Sequence, residues 1–341
     1  ISRPAFEALR LIASFQDFDQ FPFYFKTIVP IIPQLPNTVI SQAIDCLSLR
    51  PRSTVSQEII LELFSFLYSF LMTVLSESRI YSILDTICKV LSSVIINCDN
   101  HIEQHAEALC QIMYSCFTEL SLSNALTVVA SLSIPVKSFV QSQIPVFIPL
   151  VMKAQQRYKD PTILISAVRL VPLIINRLEL DEECFAGLMN NLFDSLRLGE
   201  TAPAKAEILN VFCIILTRKT EMFRPFIGNL YCGLLSLVSY IENAYRMYLE
   251  CAAQIVSGIC HLCVALIHLV SRDDQYRVFT LSIQLINTVA EMPKFLSQIN
   301  EDLVDLILCL LQNFRDETKQ QIQQIPSISE ILRSGLRLVH S

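Results

Sequence analysis

"KAEILNVFCIILTRKTEMFRPFIGNLYCGLL", residues 205–235, reads as two helices with almost nothing between them. In the first, Ile208, Val211, Phe212 and Ile215 follow one helical face, and Leu209, Ile214 and Leu216 widen it beyond a single stripe. Lys205, Glu207 and Asn210 leave only a narrow polar strip. The second helix carries Phe223, Phe226, Leu230, Leu234 and Leu237 at three- and four-residue spacing, with Leu235 and Val238 as another apolar flank. A hairpin this apolar cannot bury its surface alone. It needs a hairpin on each side, which is the pattern of a repeat array.

Pro161 and Pro203 mark the period. Each follows a short polar turn, "KDP" or "ETAP", and each opens an apolar helix, as proline does in a first helical turn. Helices of the same type are expected to begin near Glu119 and near Asn243. A period of about forty residues with two helices in each matches HEAT or armadillo arrays. The spacing predicts an all-α fold of outer and inner helices. A lone inner helix over 3–14 comes first. Outer–inner pairs follow at 20–35 with 37–49, 55–75 with 79–97, and 102–118 with 120–133. The series continues with 139–157 and 161–178, 183–198 and 203–218, 221–240 and 243–269, then 274–291 and 299–314. A short helix near 328–338 ends it. Five prolines, Pro22, Pro30, Pro33, Pro36 and Pro51, interrupt 20–52. No linker rich in Gly or Ser divides 1–341, so one right-handed HEAT-repeat solenoid is expected.

Composition narrows the function. Hydrophobic residues make up 52% and charged residues 17%, which raises a membrane reading. The best candidate span is 251–271, "CAAQIVSGICHLCVALIHLVS", without Asp, Glu, Lys or Arg. It contains Gln254, His261 and His268, however, and a central helix of a layered α protein is apolar all round for the same reason. No stable membrane insertion is expected. A formal net charge of −6 with interspersed signs disfavours direct nucleic-acid binding. The 12 cysteines form no disulfide ladder; most, such as Cys88, Cys110, Cys213 and Cys309, occupy apolar helical positions. That usage fits a reducing compartment, cytosol or nucleus. The chain shows no signal peptide. It opens on "ISRPAFEALR" with no initiator Met, as if inside a helix, and is expected to be a fragment of a longer protein.

No constellation signals catalysis, a cofactor or a metal. The six glycines are scattered and make no phosphate loop. Cys260 and Cys263 in "GICHLC" can share a helical face, but His261 points elsewhere, and core packing is the preferred reading. His101 and His105 lack the glutamate arrangement of a metalloprotease helix. The acids of "LELDEECF" read as the start of a helix. The aromatic run Phe18–Phe25 reads as packing at a proline-bent repeat.

With the repeats laid out, "QIPVFIPLVMKAQQRYKDPTILISAVRLVPLIINRLE" (143–179) resembles an outer helix and the following inner helix of the importin-β (karyopherin-β) family. "KAEILNVFCIILTRKTEMFRPFIGNLYCGL" resembles that family's next unit, and "ENAYRMYLECAAQIVSGI" the inner helix after it. "ISEILRSGLR" is similar to a short helix near the family's C-terminus, and "RPAFEALRLIASF" to an inner helix further upstream. The resemblance covers about 100–337 and the first 15 residues. Residues 20–52 are longer than the family's corresponding stretch. The family's final helix, with a Trp that grips importin-α, has no counterpart, since the chain contains no Trp.

The resemblance implies the C-terminal half of a nuclear transport receptor without catalysis, working in cytoplasm and nucleus and at the nuclear envelope and pore. Its implied partners are importin-α or basic cargo, Ran-GTP and FG nucleoporins. Glu119, Glu207, Glu250, Asp302 and Asp305 fall on helices assigned to the concave side and are the candidates for a basic helical ligand. Met113, Phe117, Phe147 and Val151, between outer helices, are the candidates for an FG phenylalanine, with core packing as the equal alternative. The competing class is a structural HEAT scaffold, of phosphatase-scaffold or coat type, which needs no acidic asymmetry between its two faces.

Overall fold

The computed structural model describes residues 21–50, 53–77, 81–292 and 300–325. The leading helix 3–14, the closing helix 328–338 and Phe18 lie outside them. Every regular element among the described residues is helical. The chain divides into two compact units, Ile1–Ala154 with Leu173–Phe185, and Gln155–Pro172 with Ala186–Ser341.

In the first unit α1 (Phe21–Ile28) runs into a 3-10 helix, Val29–Gln34, with Pro30 at its start and Pro33 inside it. Helices α2 (Asn37–Asp45), α3 (Gln57–Ser76), α4 (Tyr81–Ile95), α5 (Glu103–Leu120) and α6 (Ala125–Leu132) follow. The second helices of the pairs, α2, α4 and α6, pack on one another and form one layer; α3 packs on α4 and α5 on α6 to form the other. We call these the B and A layers. Apolar stripes explain the order: Ile60, Leu63, Phe64, Leu67, Phe70, Leu71 and Val74 of α3 are all buried. The last described helices to begin in this unit are α7 (Lys137–Ser142), α8 (Ile144–Gln155) and α10 (Glu182–Leu198), with α9 (Pro161–Arg177) between them. The expected outer helix 139–157 is thus broken in two at Gln143.

The expected inner helix 120–133 also starts later. Helix α5 ends in a left-handed αL cap: Ser121 N–H donates to Phe117 O at 3.0 Å, and Leu122 N–H to Cys116 O at 3.2 Å. Ser121 sits at φ 55°, a conformation that costs a non-glycine residue about 1–2 kcal/mol. Contacts from α4 offset this. The Tyr81 hydroxyl donates to Ser121 O. The Asp85 carboxylate accepts from Ser123 Oγ at 2.9 Å, Asn124 N at 2.9 Å and Asn124 Nδ2 at 2.8 Å.

The second unit repeats the plan. Helices α11 (Ala202–Arg218), α14 (Leu249–Leu269) and α16 (Asn300–Asn313) pack in sequence as the B layer. The A layer is α13 (Ile227–Met247), entered through a short helix, α12 (Thr220–Phe223), and followed by α15 (Arg272–Ala290). A last helix, α17 (Arg315–Ile322), packs on α16 and has no sequence-based counterpart. Pro161 and Pro203 do sit in the first turns of α9 and α11. The next boundary moves, because α13 continues to Met247 and α14 begins at Leu249 rather than near Asn243.

The hairpin at 205–235 is pinned by aromatic stacking. Phe193 of α10 stacks on Phe212 at 4.7 Å, and Phe223 meets Phe212 edge-on at 5.8 Å. Lys205 is not part of a polar strip. It is buried, its ammonium donates to Leu196 O near the end of α10, and it lies 5.1 Å from the Tyr240 ring centre. A cation at a helix C-terminus meets the negative end of the helix dipole, while burial pulls the Lys205 ammonium below its ordinary pKa.

Among the described residues two helices, Gln57–Ser76 and Leu249–Leu269, are long and apolar enough to cross a membrane. In α14 the apolar side is buried, whereas Gln254, His261 and His268 form its exposed face. That is the pattern of a sandwiched core helix.

Candidate functional site

Two surfaces of the second unit carry features a ligand could use. The first lies in the B layer between α11 and α14. Leu209 packs so closely on Gly258 that a β-carbon there would lie 2.9 Å from Leu209 Cβ. Above this closed joint runs a shallow polar groove of about 300 Å³, lined by Glu207, Asn210, Cys213, Gln254, Ser257 and His261 among others. Arg169 of α9 holds Glu207 at 3.0 Å, and Asp302 of α16 holds His261 Nε2 at 3.0 Å. The groove is therefore edged by a salt bridge on one side and a histidine–carboxylate contact on the other. Cys213 donates weakly to Gly258 O at 3.8 Å, and burial pushes its thiol up to about 12.

The second surface lies in the A layer, where α13 and α15 begin. A pocket of about 620 Å³ opens there. Ile227, Tyr231, Leu266, Leu269, Val270 and Val278 give it apolar walls, and Arg224, Asp274 and Arg277 stand around them. Both arginines are already paired, Arg224 with Glu221 at 3.0 Å and Arg277 with Asp274 at 3.1 Å. Ser271 caps α15 through Asp274 N, which fixes the lower wall. On the α13 side, Gly228 faces open space, with nothing within 4 Å of a β-carbon built there.

The candidate residues distribute unevenly over these surfaces. Glu207 lies in the B-layer groove, and Asp302 beside it through His261. Asp305 is exposed on α16, and Glu250 is exposed in the first turn of α14. Glu119 corrects the sequence reading: it is the next-to-last residue of α5, an A-layer helix, because the turn at Ser121 delays α6. Met113, Phe117, Phe147 and Val151 are exposed by 1% or less. They fill the interior, since the apolar stripe of each A helix turns toward its own repeat, and they offer no open groove. The A-layer pocket was missed by sequence. Its signal was the pair Ile227 and Tyr231, one helical turn apart and offset from the Phe223–Leu230–Leu234 stripe.

The other motifs are structural. Cys260 and Cys263 are fully buried, and burial raises both thiols, Cys263 to about 12, whereas His261 is exposed on another face of α14. His105 packs against Phe64 and Tyr68 at 5.7 and 5.5 Å. Asp181 Oδ1 accepts from Cys184 N at 2.7 Å as the cap of α10, and that backbone bond holds its carboxyl below the usual range. All 12 cysteines are free thiols.

A family model described as importin subunit beta-1-like, TPR repeats, matches residues 69–335. The fold is similar to that of importin beta crystallised in an ammonium sulfate condition. The TM-score is 0.70 at 16% identity, over 96% of this chain and 42% of that one. It is also similar to the Kap95:Nup1 complex, with a TM-score of 0.69 at 17% identity, over 93% of this chain and 40% of that one. The chain thus spans less than half the length of those structures. These likenesses give the fold as a HEAT-repeat α solenoid. No curated protein matches by sequence.

Proposed function

The chain belongs to the importin subunit beta-1-like family, and on that premise we propose that it is part of a karyopherin-type nuclear transport receptor, built as one continuous array. The observation that carries the reading is the A-layer pocket. Its apolar walls, about 620 Å³ in volume, have room for a phenylalanine side chain, and the gap above Gly228 leaves backbone within reach of the ligand. A structural relative is a complex with Nup1, which supports a nucleoporin as the ligand here. The FG contacts are therefore assigned to the half-buried Ile227, Tyr231 and Leu269, over a floor that includes the buried Val278. Met113, Phe117, Phe147 and Val151 keep an indirect part, holding the helices from inside.

Basic partners, importin-α or cargo, are assigned to the B-layer face bearing Glu207, Glu250, Asp302 and Asp305. Many weak charge pairs would hold such a ligand, so its binding should fall steeply with salt. Ran-GTP is proposed as the releasing partner, and cytoplasm, nucleus and nuclear pore as the working sites. The test is Gly228→Leu, which fills the pocket from an exposed helical position. Capture of an FG-repeat peptide is expected to weaken at least tenfold with the melting temperature unchanged. Equal capture by the variant would refute the pocket assignment.

A further inference from the structure

Four of the seven exposed large hydrophobic residues described in the second unit lie at turns that lead from an A helix to its B helix; Met222, Leu235 and Tyr276 lie elsewhere, singly. Leu198 is 48% exposed at the end of α10. Met247, Tyr248 and Leu249 are 64%, 50% and 38% exposed between α13 and α14. Three apolar residues in succession on a surface mark an interaction site more strongly than scattered ones do. The two turns are neighbours. Leu209 and Cys213 both meet Gly258, so α11 and α14 pack side by side, and Lys205 near the start of α11 lies over Tyr240, which is close to Tyr248 and Cys251 at the start of α14. Both helices begin about 10–14 Å back along their axes from Leu209 and Gly258, at 1.5 Å per residue. Lys205 fastens the same corner by reaching Leu196 O and the Tyr240 ring.

Charge selects the partner. Arg197 pairs with Asp194 at 2.9 Å, and Arg246 pairs with Glu242, so these four cancel. Glu200 and Glu250 are exposed beside the apolar residues and enter no ion pair. The turn before them, at Tyr158, carries Arg157 and Lys159 and lies near Asp194 and Arg197, which bounds the acidic stretch on that side.

We infer that this rim, Leu198 and Glu200 with Met247 to Glu250, docks a segment of a partner protein in which apolar side chains alternate with lysine or arginine. Apolar anchors cover Leu198 and Tyr248, and the basic groups meet Glu200 and Glu250. The rim is separate from the A-layer pocket and shares only Glu250 with the B-layer face assigned to basic partners; Leu198, Glu200, Met247 and Tyr248 belong to it alone, and Glu207→Gln separates the two surfaces. An anionic membrane is disfavoured by the same two acids.

A fluorescein-labelled nine-residue peptide of alternating Leu and Lys, titrated into the full chain and followed by anisotropy, tests the inference. Met247→Ser with Tyr248→Ser, and separately Glu200→Lys with Glu250→Lys, should each weaken binding at least tenfold. Glu207→Gln, in the groove, should leave it unchanged. Peptides with Ser for Leu, or Glu for Lys, should fail to bind. The inference is overturned if the rim variants bind the Leu–Lys peptide like the parent. It is overturned equally if sedimentation shows self-association that Tyr248→Ser abolishes, or if the rim instead captures phosphatidylserine vesicles.

Discussion

The joint between α11 and α14 and the joint between α13 and α15 share the α13–α14 pair, yet the first is closed and the second open. At the closed joint Gly258 admits Leu209, and the helices meet backbone to side chain. What remains at its surface is a shallow groove with polar walls. At the open joint Arg224 and Arg277, each paired with an acid three residues away, stand around the helix starts, and Ile227, Tyr231, Leu269 and Val270 remain half-exposed. The more apolar pair of helices makes the closed joint, and the open one keeps its apolar residues beside the more polar α15, so apolar content by itself does not mark an open surface.

The comparison can be broken by substitution. The largest effect is expected from Phe212→Ala, which removes the ring between Phe193 and Phe223 on the closed side. A loss of about 3–5 kcal/mol is expected in urea melts. Gly258→Val should cost about 1–3 kcal/mol, since Leu209 must retreat. A loss below about 0.5 kcal/mol there would mean the joint is not tight.

Lys205 gives a pH dependence. Burial lowers its pKa from 10.5 in the folded state, so the unfolded chain binds the proton more tightly between the two values. Stability should then rise as pH climbs toward 10.5, and this contribution is lost as pH falls through the folded-state pKa. Lys205→Met should flatten that rise, as read from urea melts at stepped alkaline pH. Glu207→Gln, which breaks an exposed pair with Arg169, should change stability by no more than about 1 kcal/mol. Gly228→Leu on the open side should stay within about 0.5 kcal/mol.

Much of the fold was legible because helix order rests on local signals. Pro161 and Pro203 mark two starts, and the stripes of α3, α11 and α13 point to their own cores. The boundary at Tyr248 was not legible, since "IENAYRMYLECAAQ" has neither Gly nor Pro to stop a helix. The turn before α6 depends on Asp85 and Tyr81, distant in sequence. The site was less legible still. Lys205 reads as a surface residue until Leu196 O and Tyr240 are seen around it. Phe117 and Phe147 look like binding residues for the same reason they are core: they are large and apolar. Only the structure shows that Ile227 and Val278, far apart in sequence, wall one pocket.

The most direct test of the open-joint account is methyl NMR of the Ile, Leu and Val groups during titration with an FG-repeat peptide. The account predicts saturable shifts at Ile227, Leu269 and Val278, with Ile255 and Ile259 in the closed layer unmoved. Shifts confined to the closed layer, or none at the pocket while the peptide binds, would contradict it.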